Sequence, residues 1–383
     1  MSTPFDDLAA SAACPEDPDG LALLEGCAAQ AWRQSLRVFL ERAAPGIALP
    51  AGAARALREL AEAEPDFERL WHPSLGALVQ AERQPRAGFL LACALEIAWH
   101  AHQSGVAGEW RARWRPPRTL VLPDRIVDVR ALRVAADGRR LSLSAIDADG
   151  ARLTLSAAAA SWDGAGRQPM LAAYPARTPD DRQQPAGEPD VAAAQALAAG
   201  LALFDQGAPV YGPWVRRLVR LVRPLRRSGS QVSSWSSLHY PGLVSMTLFA
   251  SPLDMAETLV HEASHQHFHL VDRLFPLVER GVEEWLYSPV KRCRRPALML
   301  LLAYHAFGNV ALFFDALRRN GRLADADWRH HMADLRDWLP RMAAELERAR
   351  SLSPAGRRFL SALQRRLRPL TAPAENLSEE IAR

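Results

Sequence analysis

Lysine is nearly missing from this 383-residue sequence, with Lys291 the only one, and there are just four cysteines and five tyrosines. Cys14, Cys27, Cys93 and Cys293 make no C-x-x-C pair and no framework spacing, which excludes a thiolate zinc cluster and a disulfide-stapled secreted scaffold. Buried free thiols in a reducing compartment are the remaining reading. The net charge is only +4, and no basic stripe with interleaved aromatics occurs, so a nucleic-acid partner is not favoured. The longest apolar run, Ala297–Ala306, is too short to span a bilayer and contains His305. Met1–Asp7 lacks the basic start and apolar core of a signal peptide. The expectation is a cytoplasmic protein with no membrane partner; the oligomeric state has no signal. With 49% hydrophobic and 23% charged residues the chain is globular, long enough for one large domain or two ordinary ones.

Residues 1–104 read as helices, among them Leu21–Ala43, Ala53–Glu64, Asp66–Gln84 and Pro85–His102. His100 and His102 cannot share a helix face and are taken as structural. In residues 105–187 the period changes. Thr119–Leu122, Arg125–Ala135, Arg140–Ala145 and Arg152–Ala157 alternate apolar and polar around Asp-Gly turns, as antiparallel hairpins do, and a linker follows. Residues 188–383 return to helix: Val191–Phe204, Val210–Leu225, Pro276–Tyr287, Ala297–Leu317, Asp325–Arg348 and Pro354–Leu367, with a strand at Leu243–Phe249. The arginines of 216–227 read as a solvated helix face. The resulting fold class is α+β, mainly α-helical, with a small antiparallel β-sheet in the middle and a helical metal-binding C-terminal half.

That last description rests on His261-Glu262-Ala-Ser-His265, inside a stretch free of Pro and Gly from Leu253 to Phe275. Residues four apart share a helix face, so His261 and His265 can offer two imidazoles to one cation, with Glu262 beside them. Leu259, Val260, Ala263, Phe268, Val271 and Leu274 recur at helical spacing and would bury the other side; Ser251 and Asp254 are the candidate caps. Two candidates stand for a third ligand. Glu284, with eighteen residues between it and His265, has the spacing of thermolysin-like zinc peptidases, in which Glu262 would be the general base. His305 sits on an otherwise apolar helix, just after Arg292, Arg294 and Arg295, whose guanidinium forks suit a carboxylate.

The run Leu259-Val-His261-Glu262-Ala-Ser-His265-Gln266, followed by Tyr287-Ser288-Pro289, Arg295-Pro296 and His305-Ala306-Phe307, resembles the HExxH-type 2-oxoglutarate-dependent peptide β-hydroxylases that modify ribosomally made peptides. The resemblance covers roughly residues 230–315. It implies an Fe(II)/2-oxoglutarate-dependent dioxygenase with iron on His261, His265 and His305. It further implies 2-oxoglutarate on Arg295, with Arg292 as understudy, O2 as co-substrate, and a precursor peptide as substrate. Under that reading Glu262 orients water or a ligand. The rival expectation is a zinc metallopeptidase using His261, His265 and Glu284.

Overall fold

Period and punctuation in the sequence carry through to most of the helices. In the computed structural model, residues 18–42, 49–71, 108–121, 126–136, 141–147, 152–155, 170–171, 191–225, 233–237, 240–248 and 251–371 are described, with a few single residues besides. The helices expected over 77–102, with His100 and His102, lie outside them. The chain divides into two units built from interleaved segments: residues 1–24, 200–215 and 256–383 in one, 25–199 and 216–255 in the other.

In the unit formed by 25–199 and 216–255, α1 (Pro18–Arg42) buries Ala28, Trp32, Leu36 and Phe39 along one face, the spacing that predicts an amphipathic helix. α2 (Ala51–Glu62) and the single turn α3 (Phe67–Leu70) follow. Phe67 stacks on Trp71, and the Trp71 indole donates to the Leu218 carbonyl at 2.9 Å. β1 (Gly108–Val121), β2 (Ile126–Ala136), β3 (Leu141–Asp147) and β4 (Arg152–Leu155) form the expected antiparallel meander, in sequence order. β1 begins eleven residues before the alternation at Thr119 announced it. A second sheet has the order β5-β6-β8-β7, from β5 (Met170–Leu171), β6 (Leu221–Leu225), β7 (Ser234–Ser236) and β8 (Leu243–Thr247). β6 and β8 run parallel, in register from Leu221 with Leu243 to Leu225 with Thr247.

β6 corrects an expectation. The helix read over Val210–Leu225 stops as α5 (Tyr211–Leu218), after α4 (Val191–Gly207), and the chain then extends. Every residue of β6 is buried, as in a central strand covered on both faces, so its sequence has no alternation to read. Arg220 and Arg223 are 2% and 3% exposed, and Arg223 donates to the Ser245 hydroxyl; neither belongs to a solvated face.

The other unit is helical and holds the candidate ligands. α6 (Pro252–Leu274) opens with Ser251 accepting the Asp254 backbone N–H, the capping bond its sequence calls for. Leu259, Val260, Ala263, Phe268 and Val271 are all fully buried. A hairpin of β9 (Trp285–Ser288) and β10 (Cys293–Pro296) comes next, then α7 (Ala297–Arg319), α8 (Asp325–Glu347) and α9 (Pro354–Thr371). α7 is long and apolar enough to cross a membrane, but 72% of its apolar stretch is buried within the protein, as in a core helix.

The short helix expected over Pro276–Tyr287 does not form. Gly281 has φ +79°, and the backbone is stitched instead to the α8–α9 connection: Glu279 N–H to Ser351 O at 2.7 Å, Ser353 N–H to Leu277 O at 3.1 Å, and Ser353 Oγ–H to Pro276 O at 2.6 Å. Gly356 makes this approach possible, since a Cβ there would overlap the Leu277 carbonyl oxygen. Gly356→Ala should therefore destabilise the protein by about 2–3 kcal/mol through forced overpacking, read as a lowered denaturant midpoint. An unchanged midpoint would show that the loop gives way freely.

Candidate metal centre

α6 exposes only a narrow stripe. Glu262, Ser264, Gln266 and His267 are buried, while His261 and His265, one turn apart, are half-buried. His261, Glu262 and His265 place one ligand atom each within 4.8 Å of one another. The two imidazoles lie edge to face, with centroids 4.6 Å apart, and Phe307 from α7 meets the His261 ring at 5.0 Å.

The donor set fits a divalent cation electronically as well. Burial, then the neighbouring His265, lowers the His261 pKa to about 4, Glu262 pulling the other way. Burial, then His269 and Arg295, lowers that of His265 to about 3. Both rings are thus neutral at physiological pH, with lone pairs available to a metal. His265 Nδ1 is out of solvent contact and has no hydrogen-bond partner, an orphaned buried nitrogen that a metal ion would satisfy.

The other residues named from the sequence sit elsewhere. His305 is fully buried on α7; its Nε2 lies 3.1 Å from the Ala13 carbonyl oxygen, and its ring stacks on His267 with centroids 5.9 Å apart. It is outside the His261–Glu262–His265 group. Glu284 is not in the group either. Its carboxylate accepts the backbone N–H groups of Arg350 at 3.2 Å and Ser351 at 2.8 Å. Partial burial pushes its carboxyl up, but hydrogen bonds from Ser351 and Arg350 outweigh this, and the net shift is down. Asp272 is likewise engaged, accepting the Leu277 N–H at 2.9 Å. Among the described residues no fourth histidine, cysteine or carboxylate joins the three.

On the hairpin, Arg295 pairs with Leu286 and Arg294 with Tyr287. Arg295 is half-buried and its charge acts on His265; Arg292, at φ +52°, and Arg294 are exposed. Lys291, at the tip, acts on His261, a neighbour that no spacing rule could have named because the hairpin itself was not foreseen.

These placements overturn the hydroxylase reading. The metal-binding group is a His-Glu-His cluster on one helix of a mostly helical protein. The sheets among the described residues are open, none closing into the curled barrel of 2-oxoglutarate oxygenases. Nothing in the site points to Fe(II), 2-oxoglutarate or O2, and neither the dioxygenase reading nor the resemblance that implied it holds. Searched against known families and the curated proteins, the sequence matches no family model and no individual protein.

Two outcomes follow from this geometry. Because the folded imidazoles refuse protons that the unfolded chain accepts below pH 6.5, stability rises with pH across that window and is lost as pH falls toward 4. The metal-free protein should lose on the order of a few kcal/mol between pH 6.5 and 4. His265→Gln should flatten that slope in pH-dependent melting; an identical slope would mean the ring is not held neutral. Glu284→Ala should lower stability by about 1–2 kcal/mol through two lost acceptors, with zinc uptake unchanged. Loss of zinc in a folded Glu284→Ala protein would return that carboxylate to the metal.

Proposed function

We propose that the protein is a zinc-dependent peptidase of the His-Glu-x-x-His type. The observation that carries this reading is the approach of His261, Glu262 and His265 within 4.8 Å on one helix turn. His261 and His265 would hold the ion, which when bound supplies Lewis-acid polarisation of a peptide carbonyl and of water. The rest is the work of the chain. Glu262, 2% exposed, would take a proton as water oxygen bonds to the carbonyl carbon. It then delivers that proton to the amide nitrogen as the C–N bond breaks, and the second water proton passes from the new carboxylic acid to the amine, leaving a carboxylate and an ammonium. Burial around Glu262 keeps bulk water from competing for the proton. Phe307 packs edge-on against the His261 ring at 5.0 Å, which restricts the ring's rotation.

The substrate class is a peptide. Cys27 and Cys293 are both free and exposed, which suits a reducing compartment, the cytoplasm.

Zinc-reconstituted protein should cleave a mixed peptide library, and metal analysis should give one zinc per chain. His265→Ala should lose the zinc. Glu262→Gln should keep it while the turnover number falls roughly 10²- to 10⁴-fold. A Glu262→Gln protein that cleaves at the wild-type rate would remove the carboxylate from the chemistry.

A further inference from the structure

Among the described residues five large hydrophobic side chains stand exposed, and three of them fall within six positions: Val282 at 50%, Trp285 at 47% and Tyr287 at 38%. Single exposed apolar residues are ordinary on a protein surface, whereas a cluster of them marks an interface. The β9–β10 hairpin explains how this cluster arises. Along β9, Leu286 and Ser288 are buried, so strand alternation turns Trp285 and Tyr287 outward. Cross-strand pairing sets Arg294 opposite Tyr287 and Pro296 opposite Trp285, on that same outer face. The Tyr287 backbone N–H donates to the Glu345 carboxylate of α8 at 3.0 Å, which ties the strand down on its inner side.

Charge gathers at the same place. From Trp285 to Arg295 the sequence has four cations and no carboxylate. Lys291, Arg292 and Arg294 are exposed, the first two in the turn that joins the strands, and Arg280 is exposed just before Val282. Carboxylates at the base of the hairpin are already engaged. Glu283 accepts the Trp285 indole N–H at 2.9 Å, Glu284 the N–H groups of Arg350 and Ser351, and Glu345 lies 4.0 Å from Arg348. The tip therefore presents aromatic rings and positive charge together.

A second copy of the chain is a poor occupant for this face. A two-fold interface would set the same cations against one another. Three half-exposed side chains also supply only on the order of 300 Å², against roughly 800 Å² a side in a stable interface. An anionic bilayer has neither restriction. Trp and Tyr rings settle at the headgroup level, while Lys and Arg are drawn to the negative surface with their aliphatic stems along it.

We propose that the outer face and tip of the β9–β10 hairpin dock on an anionic lipid surface, peripherally and reversibly. The expectation of no membrane partner rested on the lack of a spanning run, and a hairpin that lies on a bilayer needs none. Rings and cations act together here, since stable anchoring at an interface takes two signals. Anionic lipid is concentrated on the cytoplasmic leaflet, which faces the compartment that the free thiols suit. The proposal stands apart from the zinc-peptidase reading, because it uses none of the residues assigned to the metal or to catalysis.

The test is co-sedimentation of the full chain with vesicles of phosphatidylcholine alone or with about 30% phosphatidylserine. The protein should partition onto the anionic vesicles at least ~10-fold more strongly, and should leave them as salt rises from about 0.1 M to about 0.5 M. Each exposed cation is worth roughly fivefold, so joint Lys291→Gln, Arg292→Gln and Arg294→Gln should cost on the order of 100-fold. Joint Trp285→Ser and Tyr287→Ser should cost at least about 10-fold. All five positions are exposed, so melting temperatures should match the wild type, and if one variant fails to fold the other reads the same site. A charge-matched control on α9, Arg365→Gln with Arg366→Gln and Arg368→Gln at exposed positions, should stay within about threefold of the wild type. Three results overturn the docking site: no preference for the anionic vesicles, a loss in the α9 control as large as in the hairpin variant, or full binding after Trp285→Ser and Tyr287→Ser.

Discussion

The structure depends on burying a helix that carries polar residues on its buried faces as well as on its open one. Beside its apolar residues, α6 takes Glu262, Ser264, Gln266 and His267 out of water, and each such group needs a partner where it lands. Ser264 returns its hydroxyl to the Val260 carbonyl at 2.7 Å, one turn back. His267 lies edge-on to Trp214 of α5 and face-on to His305 of α7. His305 in turn meets Phe359 of α9 at 5.1 Å. These contacts fix the rotation of α6 about its axis. A turn of one residue in either direction would carry His261 and His265 to buried positions and move His267 off both ring contacts. The metal-binding stripe is what remains when every other face has a place.

That logic explains what the sequence made legible. A Ser cap, an uninterrupted helical run and the i, i+4 pair are local, and α6 formed as read, with His261 and His265 one turn apart. The antiparallel meander was equally local, since hairpins advertise their turns. The third-ligand candidates were read from spacing, which carries no direction. His305 is bonded to the carbonyl of Ala13, 292 residues away, and Glu284 to backbone 66 and 67 residues on. Periodicity says nothing of partners so distant. β6 failed for another reason: a strand buried on both faces has no alternation to show.

The loop from Pro276 to Glu284 shows how a segment poor in regular structure is still held in one place. Its backbone groups are taken by Ser351 and Ser353, and its last carboxylate by two N–H groups of the same connection. The β9–β10 hairpin begins where this stitching ends, and it packs against α7 and α8.

Lys291 has a practical consequence. It is exposed, at the hairpin tip, and is the sole side-chain primary amine in the sequence. An amine-reactive fluorophore would therefore mark one side chain, apart from the α-amino terminus, without any engineering. Because Lys291 lies at the tip between β9 and β10, the label would mark that hairpin and no other part of the fold.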